Sequence, residues 1–296
     1  MLRQNGTNQP RSLVLIVSLV LFGLSIVLGI SSPIKAAVDM SRQNASKFTA
    51  EQWSGAFQIA NALPFSQRVA FWSDLTSVDS TYVLDPLGEG PAAAPDNGPL
   101  YDFAHVDCVT FVEQVYALAL SNNYRAFQDT LQHIRYRNGQ IDYRWRNHYL
   151  VSDWLPANAW FIHDITDDVG GQIVKPMTKT ITRGKFFADK GLQQYANLPD
   201  ETATVSYIPR DQVASVLTKI HTGDMLIFVI NSPGIIAGHT GLAIVRGTTV
   251  YVRHASQTAK TVVTVPLADY MRTMPDRFVG FKVARPSQTT TAVPQK

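Results

Sequence analysis

The sequence offers one thiol and seven imidazoles able to act as nucleophile or base near neutral pH: Cys108, and His105, His133, His148, His163, His221, His239 and His254. A thiol becomes a good nucleophile when its thiolate is stabilised. A helix N-terminus does this with its free N–H groups, and a nearby histidine does it with positive charge. From Asp107 onward, CVTFVEQVYALAL carries Val112, Val115, Tyr116 and Ala119 at i, i+3, i+4 and i+7. That is the pattern of a buried helix beginning at or beside the cysteine, with Asp107 as its cap. Cys108 is therefore expected to be a reactive thiol of depressed pKa. The bland alternative is a small apolar filler, a role in which free cysteine is often buried.

Strand geometry selects among the histidines. GLAIVR (241–246) and VYVRH (250–254) are short, apolar and β-branched with Gly247 between them, so His239 and His254 flank a candidate hairpin. A loop of Arg246-Gly247 sets the two directly opposite, Cβ atoms about 5 Å apart. A loop of Gly247-Thr248, or of 246–249, makes them diagonal neighbours at about 7–8 Å. Both registers keep the imidazoles on one face, whereas a three-residue loop would separate them. Adjacent imidazoles suit a relay in which His239 takes the thiol proton and His254 orients its ring. A metal pair and a structural role for both are the alternatives. Zinc ordinarily takes three or four protein ligands, and no HExxH, CxxC or comparable carboxylate spacing accompanies these histidines, so neither metal nor organic cofactor is expected.

Around these residues the chain divides simply. Leu13 to Ile30 is an uncharged apolar run preceded by Arg3 and Arg11 and followed by Ser31, Ser32, Pro33, Ala36 and Ala37, so residues 1–36 read as an export signal peptide or an N-terminal membrane anchor. The expected location is the periplasm or cell envelope. Residues 1–36 hold three bases and no acids, leaving 23 basic and 23 acidic side chains in residues 37–296. Without a basic block, nucleic acid is not an expected partner. A lone cysteine closes no intramolecular disulfide.

Residues 38–285 read as one domain. Val38 to about Asp74 has helical spacing in Phe48, Trp53, Phe57, Ile59 and Ala60. Residues 84–98 hold three prolines and three glycines and read as a surface loop. LIFVI (226–230), the two hairpin strands and TVVTV (261–265) suggest an antiparallel meander, and helices early with strands late suggest α+β. Residues 286–296 read as a frayed, disordered tail.

The order VDCVTFVE, HTGDMLIF, GHTGLAIVRG, VRHAS resembles the papain-like NlpC-type cell-wall peptidases. More closely, DCVTFVEQVYALAL is similar to the N-acetylmuramoyl-L-alanine amidase-like family, whose motif has threonine where Val109 stands. The resemblance implies a papain-like α+β fold with a helical N-terminal half and the Cys108 helix packed on an antiparallel sheet. It implies Cys108 as nucleophile, His239 as base, His254 as orienting residue, and Tyr82, or its rival Tyr101, helping to bind the oxyanion; Gly223 and Asp224 would be structural. The implied activity is hydrolysis of an amide in the peptidoglycan peptide stem, at the lactoyl–alanine bond or a D-glutamyl bond. An acyltransferase of the same fold and a non-catalytic wall-binding protein are the rivals.

One departure is length. About 115 residues separate Cys108 from Gly223, more than compact NlpC-type domains use, so an insertion is expected at about 121–220. In it Arg135, Arg137, Arg144, Arg146 and His148 lie among Tyr and Trp. Arginine grips carboxylates in two-point contacts, so Arg146 and His148 join Tyr101 and Asp107 as candidate muropeptide-binding residues, a solvated basic face being the alternative for many of the arginines.

Overall fold

The computed structural model describes residues 40 and 42–287. The apolar run read as an export signal and the tail from 288 onward lie outside these residues. Among the described residues no helix is long and apolar enough to cross a membrane.

The helical front half forms two main helices, Ala50–Asn61 and Phe65–Thr76, parted at Leu63-Pro64. Thr49 and Gln52 start the first with a capping box: Thr49 Oγ1 accepts from the Gln52 N–H at 3.2 Å, and Gln52 Oε1 accepts from the Thr49 N–H at 2.9 Å. Trp53, Phe57, Phe71, Trp72 and Leu75 from these helices join Phe111, Val115 and Leu118 of the Cys108–Leu120 helix in one buried cluster. Strands β1 (Thr81–Tyr82) and β2 (His105–Val106) pair in parallel, gathering the ends of the irregular 84–98 loop beside Cys108.

The remaining strands are β3 (Ile162–Asp164), β4 (Lys175–Ile181), β5 (Glu201–Pro209), β6 (Met225–Ser232), β7 (Ile235–Arg246), β8 (Thr249–Ser256), β9 (Thr261–Pro266) and β10 (Phe278–Pro286). They form an antiparallel sheet in the order β4-β5-β10-β6-β7-β8-β9, with β3 also paired to β10. The expected meander β6–β9 is one half of this sheet. The stretch 121–220 is built into the body of the fold: β4 and β5 widen the sheet, and Phe127, Leu131, Ile134, Trp154 and Phe161 enter the main core. Pro286 pairs with Ile162, so the ordered chain extends to the first residue expected in the tail.

Gly223 and Asp224 are structural, as expected. Gly223 has φ +94, where glycine is favoured, and its carbonyl accepts the buried Tyr116 hydroxyl at 3.0 Å. Both oxygens of Asp224 accept from Arg285, each at 2.7 Å, which ties the turn into β6 to the end of β10.

Candidate active site

Asp107 caps the Cys108–Leu120 helix with extended backbone, and its Oδ1 accepts from the N–H of Val109 at 3.0 Å, the N–H of Thr110 at 2.8 Å and the Thr110 hydroxyl at 2.9 Å. Its Oδ2 accepts from the Asp85 N–H at 3.3 Å, so the same carboxylate pins the 84–98 loop. The cap claims two of the first three N–H groups of the helix. That of Cys108 itself is not taken by the cap and favours the thiolate.

The hairpin takes the diagonal register. Arg246 pairs with Thr249 across a two-residue Gly247-Thr248 loop, and Leu242 pairs with Arg253. Continued along the ladder, this register sets Gly241 opposite His254, where a Cβ would stand 2.9 Å from that of His254 and 2.8 Å from the Arg253 carbonyl oxygen. The glycine two residues after His239 thus clears the space that the second histidine fills. Before His239 the β6–β7 register slips at Gly238, between the pairs Phe228–His239 and Val229–Ala237, and such a bulge re-aims the side chain beside it. The outcome is a direct imidazole–imidazole contact: His239 Nε2 lies 2.8 Å from His254 Nδ1, with the rings perpendicular.

Cys108 and His239 line one cavity of about 240 Å³, together with Val109, His148, Ile181 and Ala237. With Nε2 engaged by His254, Nδ1 is the ring nitrogen of His239 that this contact leaves unused. The backbone N–H groups of Thr240, Cys108 and Val109 favour the thiolate, but burial outweighs them and, with the Asp107 charge, pushes the thiol up to about 12. Burial, then the neighbouring His254, lowers His239 to about 3, and burial lowers His254 to about 4. In the free protein the groups therefore rest as thiol and neutral imidazoles. These directions run against the expectation of a depressed thiol pKa: a helix start and an imidazole are present, but desolvation opposes charge on each of the three groups. Among the described residues no cluster of three or more His, Cys, Asp or Glu could hold a metal ion.

The other expected site residues separate into those near the thiol and those elsewhere. Tyr82 is near it: burial and then the Cys108 charge raise its hydroxyl to about 12. Tyr101 is not. Its ring packs edge-on against Tyr124 and Phe127, and its hydroxyl accepts from Gln128 at 3.2 Å, so the choice between the tyrosines falls on Tyr82. His148 lines the cysteine cavity, where its Nε2 donates to the Tyr143 carbonyl at 2.7 Å and burial lowers it to about 4. Asp107 and Arg146 border an adjoining cavity of about 460 Å³ that shares Val109, His148 and Phe186 with the first. Arg146 is already engaged: Nε donates to Glu89 at 2.7 Å and Nη2 to Asp96 at 2.8 Å. It is a strut holding the 84–98 loop, which corrects its expected role as a free carboxylate grip. Asp107 is likewise consumed by its cap. Arg135 is buried against Glu113 at 3.5 Å and donates to the carbonyls of Leu87, Gly88 and Leu100, so it presents no free fork to the cleft; Arg144 stacks over Trp145 and Tyr195.

Two participants were not anticipated. Tyr270, on the Leu267–Thr273 helix, packs its ring 4.6 Å from that of His254 and 6.2 Å from that of His239. Glu113, on the Cys108 helix, accepts from Trp154 Nε1 at 2.9 Å, borders the second cavity, and is raised by burial to about 7. The family-like VTFVE run contained Glu113 as a signal; nothing local marked Tyr270.

Fold and site together define a class: an α+β protein in which a helix-borne thiol shares a cleft with a hydrogen-bonded imidazole pair on an antiparallel sheet. The N-acetylmuramoyl-L-alanine amidase-like (AmiA-like) family model matches residues 75–280, and the chain belongs to this family. A Legionella pneumophila protein of the DUF1460 family shares the fold, with TM-score 0.72 at 24% identity over 80% of this chain and 94% of that one. An N-acetylmuramoyl-L-alanine amidase from Bacteroides uniformis gives TM-score 0.62 at 28% identity over 75% of this chain and 98% of its own. A comparison with curated proteins returned no match. Family and amidase neighbour support a peptidoglycan hydrolase-like role.

Proposed function

We propose that this protein is an exported, cysteine-dependent amidase of the peptidoglycan peptide stem, with a papain-like, NlpC-type arrangement of Cys108, His239 and His254. The observation that carries the proposal is the 2.8 Å contact between the two imidazoles, which commits His239 Nε2 and leaves its Nδ1 for the Cys108 thiol in the shared cavity. The family description favours the amide between the muramoyl lactoyl group and the first L-alanine. The N-terminal apolar run supports export to the cell envelope.

Because thiol and imidazole rest uncharged, the proton moves as the bond forms. Cys108 Sγ attacks the amide carbon, its proton passes to His239 Nδ1, and the carbonyl electron pair moves onto oxygen. The oxyanion is met by the Cys108 N–H, the one the Asp107 cap leaves open, and by the Tyr82 hydroxyl. Collapse breaks the C–N bond as His239 protonates the departing amine, leaving a thioester on Cys108. Water, giving a proton to His239, then releases the acid and restores the thiol. His254 Nδ1 accepts from His239 Nε2 throughout and spreads the transient imidazolium charge.

The test is digestion of purified sacculi, with products read by mass spectrometry. Native protein should release stem peptides with or without chelator, while folded Cys108→Ala should release none. Chelator sensitivity, or retained activity in the alanine variant, would overturn the thiol mechanism.

A further inference from the structure

A base that must accept the thiol proton at Nδ1 has to carry its own proton on Nε2. In the neutral pair this fixes both tautomers: His239 Nε2–H donates to His254 Nδ1, and the remaining proton of His254 sits on its Nε2. That Nε2 is buried and makes no hydrogen bond of good geometry, although the Ala255 backbone lies close enough to the His254 ring to favour its charged form. A buried polar atom without a partner is unusual and ordinarily attracts water.

The ring of Tyr270 stands against the His254 ring that carries it. It lies 4.6 Å from the His254 ring at 43° and 6.2 Å from the His239 ring at 50°, and its other contact in the group is edge-on to Phe228 at 5.2 Å. Phe228 stacks in turn on His239 at 5.8 Å. The imidazole pair is thus flanked by two aromatic rings from different elements on the side away from the Cys108 cavity that His239 lines. The short helix bearing Tyr270 is anchored at its C-terminal end by Arg210, whose Nη2 donates to the carbonyls of Met271, Arg272 and Met274 at 2.9, 3.2 and 3.1 Å.

We propose that Tyr270 is a positioning residue of this site, whose ring keeps water from His254 Nε2 and holds the His239–His254 pair in the uncharged, hydrogen-bonded arrangement that leaves His239 Nδ1 ready to accept a proton. The inference rests on the thiol–imidazole reading above. An aromatic ring suits this arrangement because its bulk excludes water, which disfavours an imidazolium, while its electron-rich face still tolerates a donor N–H.

The titratable groups around the pair are few. The Cys108 helix supplies Cys108, whose charge Tyr270 and Tyr82 also sense. Strand β6 presents uncharged Phe228. Arg253, the neighbour of His254 on β8, donates to Ser73 at 2.6 Å and pairs with Asp74, toward the front helices. Asp269 and Arg272 on the Tyr270 helix are exposed and pair with each other at 3.0 Å. The carboxylates on these elements are engaged elsewhere, Asp107 by the cap of the Cys108 helix, Glu113 by Trp154 and Asp269 by Arg272, which leaves access of water as the main influence on the pair's charge.

The test follows the imidazoles of His239 and His254 by NMR as pH is varied, in Cys108→Ala protein carrying Tyr270→Phe, Tyr270→Leu or Tyr270→Ala, with thermal unfolding recorded for each. Tyr270→Phe should titrate like its parent, because the ring is kept. Tyr270→Ala should raise the imidazole pKa values by about one unit or more toward the free value of about 6.5, and Tyr270→Leu should lie between. In proteins with Cys108 intact, the acid limb of kcat/KM should move to higher pH in the same order. Unchanged imidazole titration in folded Tyr270→Ala and Tyr270→Leu would overturn the proposal, as would a shift in Tyr270→Phe as large as in Tyr270→Ala. The titration needs no substrate, so it stands apart from any failure of the amidase reading.

Discussion

At Cys108 two influences on a thiol pull in opposite directions. The backbone N–H groups of Thr240, Cys108 and Val109 favour the thiolate, while burial and the Asp107 carboxylate oppose it and prevail. Alkylation by iodoacetamide should therefore rise with pH through the range 7 to 10 with no plateau in acid, and at pH 8 should be slower in native protein than in urea, where the free thiol titrates near about 8.5. A plateau below neutrality, with rates above those in urea, would instead mean a resting thiolate–imidazolium pair. The histidines should also prove unequal. In the proposed mechanism His239 moves the proton, so His239→Ala and His239→Gln should each lower kcat by roughly 10²- to 10⁴-fold. His254 orients, so His254→Gln, which keeps an acceptor for His239 Nε2, should retain clearly more activity than His254→Ala. Steady-state kinetics of the four variants on one muropeptide decides it, and an indispensable His254 would reverse the two roles.

The elements show which parts of the site were legible in sequence. The Cys108 helix and the β7–β8 hairpin were, because helical periodicity, a capping aspartate and strand alternation are local signals, and loop parity was enough to place both imidazoles on one face. The diagonal register needed the observed Gly247-Thr248 turn. Strand β10 was hidden by Gly280 and by Lys282, a buried lysine in the middle of the strand whose Nζ donates to the Ser206 carbonyl at 2.6 Å and pairs with Asp164 at 2.8 Å. Strand β4, KPMTKTI, is largely exposed at its start and lacks an apolar alternation. Arg146 was misjudged because its acidic partners lie 57 and 50 residues away. Gly241 gives this scale its own test. Gly241→Ala places a Cβ 2.9 Å from that of His254 with backbone on the other side, so the hairpin must yield. Overpacking of this kind costs about 1–3 kcal/mol of stability, and displacement of the relay should lower kcat by roughly 10²-fold in protein that is still folded at the assay temperature. Full activity in Gly241→Ala would show that the fit between Gly241 and His254 does not set the relay.

Across the whole molecule, histidines that are buried or half-buried tie stability to pH. His148, His239 and His254 are lowered by burial to about 4, about 3 and about 4, against about 6.5 in the unfolded chain. Below that unfolded value the unfolded state binds more protons, so their contribution is present above it and is lost progressively as pH falls toward 4 and 3. Glu113 acts in the opposite sense: raised to about 7, it is protonated first in the folded state, and it offsets part of the loss between about 7 and the unfolded carboxyl value of about 4.3. The melting temperature should fall between pH 6.5 and pH 4.5, and fall less in His239→Gln; an equal fall in both would remove His239 from the linkage. Tyr270 belongs to this scale too, since it reaches the imidazoles only when the helix after β9 folds back on them. The proposed mechanism reduces to one covalent event, acyl transfer to Cys108. The most direct measurement is acid quenching of the native protein during turnover of a muropeptide, followed by intact-mass and peptide mass spectrometry. The expected result is an acyl adduct confined to the peptide containing Cys108, labile to hydroxylamine and absent in Cys108→Ala. Sustained turnover with no adduct at Cys108, together with an active alanine variant, would contradict it.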